Sequence, residues 1–436
     1  PNAVDGEGIW AASGVNEANV GMTATETITS NPRVLGADPL VIYQPAKDGK
    51  EEAAGGIGEE DIVSIVLPYI HSAREGVIRL GSILEKYGTY EMNGIAFQDQ
   101  NEIWWLETIG GHHWMARKVP DEAYVVMPNQ LGIDKFDLEK ALRDQEKYRC
   151  PCEEYADLEY MCSADLKEFI SKNHLDLSLD GVLNPRDAFG SHDDSDHVYN
   201  TPRAWYMLRN LNPKTKIWDG VNEFTPYSDD LPWCMIPEKK ITVEDVKYVL
   251  SSHYQGTSYD PYASYGEKEQ RGAFRSIGVN RTDFLSLIQM RPGMEKDCNI
   301  LEWVAFASNA FNVLVPFYAT IDTTPDYFSS TTREVTTDSF YWVSRMIGAM
   351  ADASYKSSIF HIERYQERVM SKGHQLIGKY DALLEKESDA AKRMSLRHQA
   401  NQEIADMVKK EASDTLNKVL YELSNQMKNA YSRSDA

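Results

Sequence analysis

Three groups of side chains in this sequence have the types and spacing to do chemistry. The run His192, Asp193, Asp194, Ser195, Asp196, His197 carries the oxygen and imidazole donors that a hard or borderline cation takes. Cys150 and Cys152 in RCPCEEY, with Cys162 nearby, begin a thiolate set of the kind that holds zinc. A proline at position 1 with a free secondary amine would be a base or a nucleophile. Each has a plainer reading. Nothing in the sequence fixes the His192 to His197 loop on a scaffold, so a solvated turn is expected there. No fourth ligand follows the cysteines at regular spacing, so they read as free thiols. His112 and His113 are neighbours in an expected strand, where side chains alternate between faces, so the two imidazoles are not expected to share a metal. We therefore expect no metal and no organic cofactor.

The absent motifs narrow the field. The sequence holds no HExxH, no P-loop, no GxSxG and no GxGxxG, which sets aside zincin proteases, nucleoside triphosphatases, α/β-hydrolases and most dinucleotide enzymes. The GGIG at 55–58 has the look of a phosphate loop, but Glu59, Glu60 and Asp61 already place negative charge at the helix start that follows. It reads as a linker.

These side chains have to be positioned by the elements around them. From Gly8 to Thr29 short apolar runs alternate with small residues, predicting a hairpin that turns at NEAN, with Met22, Ala24 and Glu26 on one face of its second strand. Ile62, Ile65, Val66, Ile70, Val77, Leu80 and Leu84 follow a helical period, interrupted at Pro68, and predict two helices over 59–87. Residues 93–130 read as a four-strand meander with turns at Asp99 to Asn101, Gly110 to Gly111 and Pro120 to Glu122. Residues 138–172 look helical, and the polar stretch 181–201 leads into a short helix carrying Arg203 and Arg209. EWVAFAS and NVLVPFYATI form a strand pair, turning at Asn309, Ala310 and Phe311. Past Pro325 the remaining 111 residues contain no proline and three glycines. There Ile404, Met407, Val408, Leu416, Val419, Leu420, Leu423 and Met427 share a face of a long amphipathic helix.

Composition sets outer limits. The 436 residues carry a formal net charge of −22, with 42% hydrophobic and 26% charged residues, as in globular proteins with a large core. No basic block interrupts the acidity, so nucleic acid is not an expected partner. The most apolar stretch, Ile300 to Ile321, contains Glu302, Asn309, Asn312 and Pro316 and reads as buried strands, not a membrane span. Five cysteines are too sparse for a disulfide scaffold and suit the cytoplasm, with secretion or a cell surface as the alternative. PNAVDGEGIW has no initiator Met, basic leader or apolar signal core, so a segment upstream of it is expected.

Five runs together carry a family resemblance: ASGVNEANVGMTATETITSNPRVLGADPL, EEDIVSIVLPYIHSAREGVIRLGSILEKYG, NGIAFQDQNEIWWLETIGGHHWMARKVPDEAYVVMPNQ, HYQGTSYDPY and WVAFASNAFNVLVPFY. In this order the chain, to about residue 350, resembles the bacterial dipeptidase A family of N-terminal-nucleophile hydrolases. The resemblance implies an α+β fold, a four-layer αββα sandwich, here spanning 1–354 without its first strands, with a helical C-terminal extension over 355–436. It implies a cysteine hydrolase that splits dipeptides. The thiol of an N-terminal cysteine attacks the peptide carbonyl while the α-amine of the same residue relays the proton. The first cysteine here is Cys150, in a helical context, so the nucleophile is expected on a companion N-terminal segment upstream of Pro1.

By the same resemblance, Asn129 in VVMPNQ stands where related acylases place a catalytic Asn that donates to the oxyanion, and Arg203 in NTPRAWYMLRN where they place an active-site Arg. Read without it, Asn129 is a strand-ending residue and Arg203 one half of a surface ion pair. Glu26 in MTATETIT departs from the pattern, since related acylases carry an Asn on that strand. A carboxylate accepts from an ammonium group, so Glu26 is expected to bind the free amine of the dipeptide. Thr25 and Thr27 alternate to the other face. The rivals are an N-acyl amide hydrolase and a binding protein that has lost the nucleophile. A homo-oligomer is expected to use the helical tail.

Overall fold

The computed structural model describes residues 11–24, 28–145, 158–218 and 223–429. The chain divides into two units, one running to Thr242 and the other starting at Val243.

In the first unit the hairpin forms where the sequence places it. Strand β1 (Ser13–Val15) pairs antiparallel with β2 (Gly21–Ala24), Ser13 opposite Thr23. Asn16 builds the turn: its Oδ1 accepts from the Ala18 and Val20 amides, and its Nδ2 donates to Leu67 O at 2.8 Å and Ile70 O at 2.7 Å. Those carbonyls lie where the helical run breaks. After α1 (Pro32–Ala37), helix α2 (Glu59–Val66) gives way to a short 3₁₀ turn, Leu67–Tyr69, around Pro68, whose nitrogen has no proton to continue the ladder. Helix α3 (Ala73–Tyr87) then starts with Ser72 accepting from the Glu75 amide. GGIG is a packed strap: Gly56 N donates to Val41 O and Ile57 N to Gly88 O.

The sheet runs β1-β2-β3-β4-β5-β7, antiparallel throughout, with β3 (Gly94–Gln98), β4 (Ile103–Thr108), β5 (Trp114–Lys118) and β7 (Tyr160–Cys162). Two expectations are corrected here. The fourth meander strand, β6 (Tyr124–Val125), leaves the sheet and pairs with β8 (Cys234–Met235). Its place beside β5 is taken by β7, inside the stretch 138–172 that reads as helical. Among the described residues of that stretch the helices are α4 (Leu138–Arg143) and α5 (Leu166–Lys172), and 146–157 fall outside the described residues. Strand pairing to β5 overrides the helical reading of this stretch at YMC.

Alternation along the strands gives the sheet two apolar faces. Met22, Ile95, Phe97, Trp104 and Leu106 pack on α2 and α3 through Val63, Val77 and Leu80. Trp105, Ile109 and Met115 pack on Leu131, Ile133, Phe136, Phe169 and Phe189. The second face carries the site described below. Three further helices follow it: α6 (Pro185–Phe189), α7 (Asp196–Tyr199) and α8 (Thr201–Leu211), the last holding Arg203 and Arg209 as expected.

The second unit opens with α9 (Val243–Leu250) and has its own antiparallel sheet, β11-β10-β9, from β9 (Phe284–Met290), β10 (Ile300–Phe306) and β11 (Val315–Tyr318). The β10–β11 pair is the expected one, while β9 adds a strand that the sequence reading omits, although FLSLIQM has strand composition. After α10 (Asp326–Ser329) come α11 (Phe340–Ala353), α12 (Tyr355–Leu384) and α13 (Ala390–Ser424). Ile347, Ile362, Val369, Ile404 and Val408 bury against Leu301, Trp303 and Val315. The expected apolar face of α13 holds through Val419, but Leu420 and Met427 are 52% and 68% exposed. Among the described residues, no helix is long and apolar enough to cross a membrane.

Candidate active site

Arg203 and Asn129, distant in sequence, meet in the first unit. Helix α8 starts directly after α7, and the junction residue Asn200 turns its side chain back along both. Asp196 is 3% exposed, and its Oδ1 accepts from Asn200 Nδ2 at 2.5 Å, while Oδ2 accepts from Ser191 Oγ at 2.9 Å. Asn200 Oδ1 in turn accepts from Arg203 Nη2 at 2.7 Å, and the same nitrogen donates to Asn129 Oδ1 at 2.7 Å. Arg203 Nε donates to Tyr199 O at 2.5 Å, and the guanidinium lies 5.1 Å from the Tyr199 ring centre. Guanidinium nitrogens only donate, so the contact fixes the Asn129 amide with its oxygen toward Arg203 and its NH₂ donors on the other side.

Asn129 opens a loop that lies on the second face of the sheet. That loop is pinned by Glu107, from β4, whose Oε1 accepts from Gly132 N at 2.8 Å, Ile133 N at 3.3 Å and Trp105 Nε1 at 3.0 Å. Glu107 is fully buried, and burial pushes its carboxyl up to about 7 against the pull of those donors and of the Arg186 charge. Arg186, from α6 and 7% exposed, donates through Nη2 to Gly132 O at 2.6 Å and through Nη1 to Asp229 O at 3.0 Å and Leu231 O at 2.5 Å. Sequence reasoning passed over Asn200, Glu107 and Arg186, and weighed Asp196 only as a cation ligand. A signal existed for Glu107, an acid two residues from Trp105 on one face of an apolar strand. Arg186 has no such signal, because its acceptors are all backbone carbonyls.

The other sequence candidates either lie outside the described residues or make other contacts. Glu26, Cys150 and Cys152 lie outside the described residues. His112 and His113 precede β5 in a turn and converge, against the expectation of opposite faces: His112 Nδ1 meets Asp38 Oδ1 at 3.0 Å and His113 Nδ1 meets Asp38 Oδ2 at 2.7 Å. Both backbone amides also donate to Asp38 Oδ2. Strand alternation does not apply to residues in a turn. Burial of Asp38 raises its carboxyl, but these four donors outweigh it and hold the group well below the usual carboxylate range. The expected solvated turn at 192–197 is partly a structured one: Asp193 Oδ1 accepts from Ser195 and Asp196, and His197 Nε2 meets Asp229 Oδ1 at 2.9 Å. Among the described residues no three His, Cys, Asp or Glu side chains are grouped to hold a metal. Cys162 and Cys298 are buried and Cys234 is half-buried, and burial raises the Cys234 and Cys298 thiols, the reverse of an activated nucleophile.

The comparisons with known proteins bear on the same question. The model of peptidase family C69 matches residues 1–368. The chain belongs to that family. This C69 chain is 51% identical to a protein named Dipeptidase from Bifidobacterium longum, with all of this chain and 87% of that one aligned. It is 50% identical to Probable dipeptidase A of Streptococcus pyogenes serotype M18, over all of this chain and 84% of that one. Dipeptidase A of Lactobacillus helveticus is 39% identical, over 86% of this chain and 72% of that one. The resemblance drawn from the five sequence runs is thereby established at family level, and a C69 peptidase is a peptide-bond hydrolase.

Proposed function

We propose that this C69 chain is a cysteine dipeptidase whose nucleophile, the thiol of an N-terminal cysteine, lies outside these 436 residues. The observation that carries the reading is the Arg203–Asn129 contact at 2.7 Å, which joins the two side chains that the resemblance names as catalytic. The thiolate adds to the peptide carbonyl, and Asn129 Nδ2 donates to the oxyanion as the tetrahedral intermediate forms. Arg203 holds the Asn129 amide in that orientation. The amine of the C-terminal residue leaves with a proton, and water then releases the acyl group from sulfur. Glu26 takes the α-ammonium of the dipeptide, which favours dipeptides over N-acylated amides.

The finer architecture belongs to the same proposal: the antiparallel sheets and helices supply the layers of an αββα sandwich through residue 354, with 355–436 as its helical extension. So does a cytoplasmic setting.

In the active enzyme, Asn129→Ala should lower kcat by about 10²–10³-fold, the cost of losing one oxyanion donor. Thiol alkylation should abolish hydrolysis and a chelator should leave it intact. Wild-type rates from Asn129→Ala would refute the oxyanion role. Glu26→Gln should raise KM for dipeptides and leave N-blocked amides unaffected; equal changes in both would favour the N-acyl amide reading.

A further inference from the structure

Asn129 is placed by backbone as well as by Arg203, and the backbone after it is held by two buried polar side chains. Glu107 takes the Gly132 and Ile133 N–H groups, and Arg186 takes the Gly132 carbonyl. The two side chains reach that residue from different elements, the strand β4 and the helix α6. Gly132 is also closely packed on its side-chain face: a Cβ there would come within 2.5 Å of Met127 Sδ. Arg186 also ties this loop to the Asp229 and Leu231 carbonyls, and the Asp229 carboxylate meets His197 of α7, whose neighbour Asn200 orients Arg203. The Asn129 side of the contact is thus set by buried groups, and the Arg203 side is joined to them through the partly exposed Asp229–His197 pair. Hydrophobic residues would close this space at lower desolvation cost, whereas hydrogen-bonding groups fix direction as well as distance.

We propose that Glu107 and Arg186 are positioning residues that clamp the Gly132 peptide from both sides, holding the Asn129 loop where its amide meets the developing oxyanion. This rests on the reading of Asn129 given above. Neither residue touches substrate; they act through Asn129.

A double-mutant cycle on dipeptide hydrolysis by the active enzyme tests it. Arg186→Lys keeps the charge and loses the fork. With Asn129 present it should lower kcat about tenfold or more, with KM within about twofold, as misplacement of a catalytic group does. In the Asn129→Ala background the same change should lower kcat by less than about twofold, because the group being positioned is gone. Glu107→Gln, which keeps an oxygen acceptor, runs the same cycle from the strand side and decides between the outcomes if Arg186→Lys does not fold. Equal losses of kcat with and without Asn129 would overturn the clamp and leave the oxyanion role standing. An unchanged kcat in both single variants would overturn it too. The oxyanion role fails separately, on Asn129→Ala alone.

Discussion

Asp38 shows how strongly a few donors set the behaviour of one side chain. An ionised carboxylate only accepts, so each of its two histidine partners presents a protonated Nδ1 to it. With two further backbone donors, the folded state holds the carboxyl below its ordinary value of 3.8. The sign follows from linkage: the stabilisation is fully present above pH 3.8 and is lost as the pH falls through the lower folded value. Asp38→Asn should therefore destabilise the protein at pH 7, and the gap from wild type should narrow in strong acid. Urea denaturation of both proteins at neutral pH and well below pH 3.8 measures it. The same donors make Asp38 legible only in three dimensions, since nothing in ADPL distinguishes it from an ordinary turn aspartate.

At the scale of elements, the contact of α3 with the first sheet depends on two residues that have no side chain. An added Cβ would stand 2.3 Å from Phe97 at Gly76 and 2.2 Å from Trp114 at Gly81. In an exposed helix Gly→Ala would help; here the ring behind it is fully packed. Gly81→Ala should cost about 1–3 kcal/mol, read as a lower urea midpoint with an unchanged slope. A stabilised variant would show that the helix can move off the sheet. The helix itself was legible from its apolar period and the break at Pro68. The departure of Tyr124–Val125 from the meander was not, because two-residue strands carry no period and their partner lies over a hundred residues away.

For the whole molecule the dominant property is charge. A net charge of −22 repels itself in the folded state, and salt screens that repulsion over about 10 Å at 0.1 M. Raising sodium chloride from about 0.01 to 0.15 M should raise the melting temperature, as calorimetry would show; a falling one would mean that the ion pairs along α12 and α13 outweigh the repulsion. Those pairs include Arg368 and Lys372 on Glu411, and Lys379 on Glu403.

Sequence alone determined the element types where a period ran long enough, the absence of nucleotide, zincin and serine-hydrolase motifs, and a family likeness that covered most of the chain. It named Asn129 and Arg203, though only through that likeness. Tertiary structure decided what those side chains touch. Asp196, Asn200, Glu107 and Arg186 form the frame around them through hydrogen bonds that span up to 54 residues of sequence, most to backbone groups that every residue possesses. Periodicity reports burial along one element and is silent on which peptide groups of another element will meet it, so such contacts exist only once the chain has closed on itself.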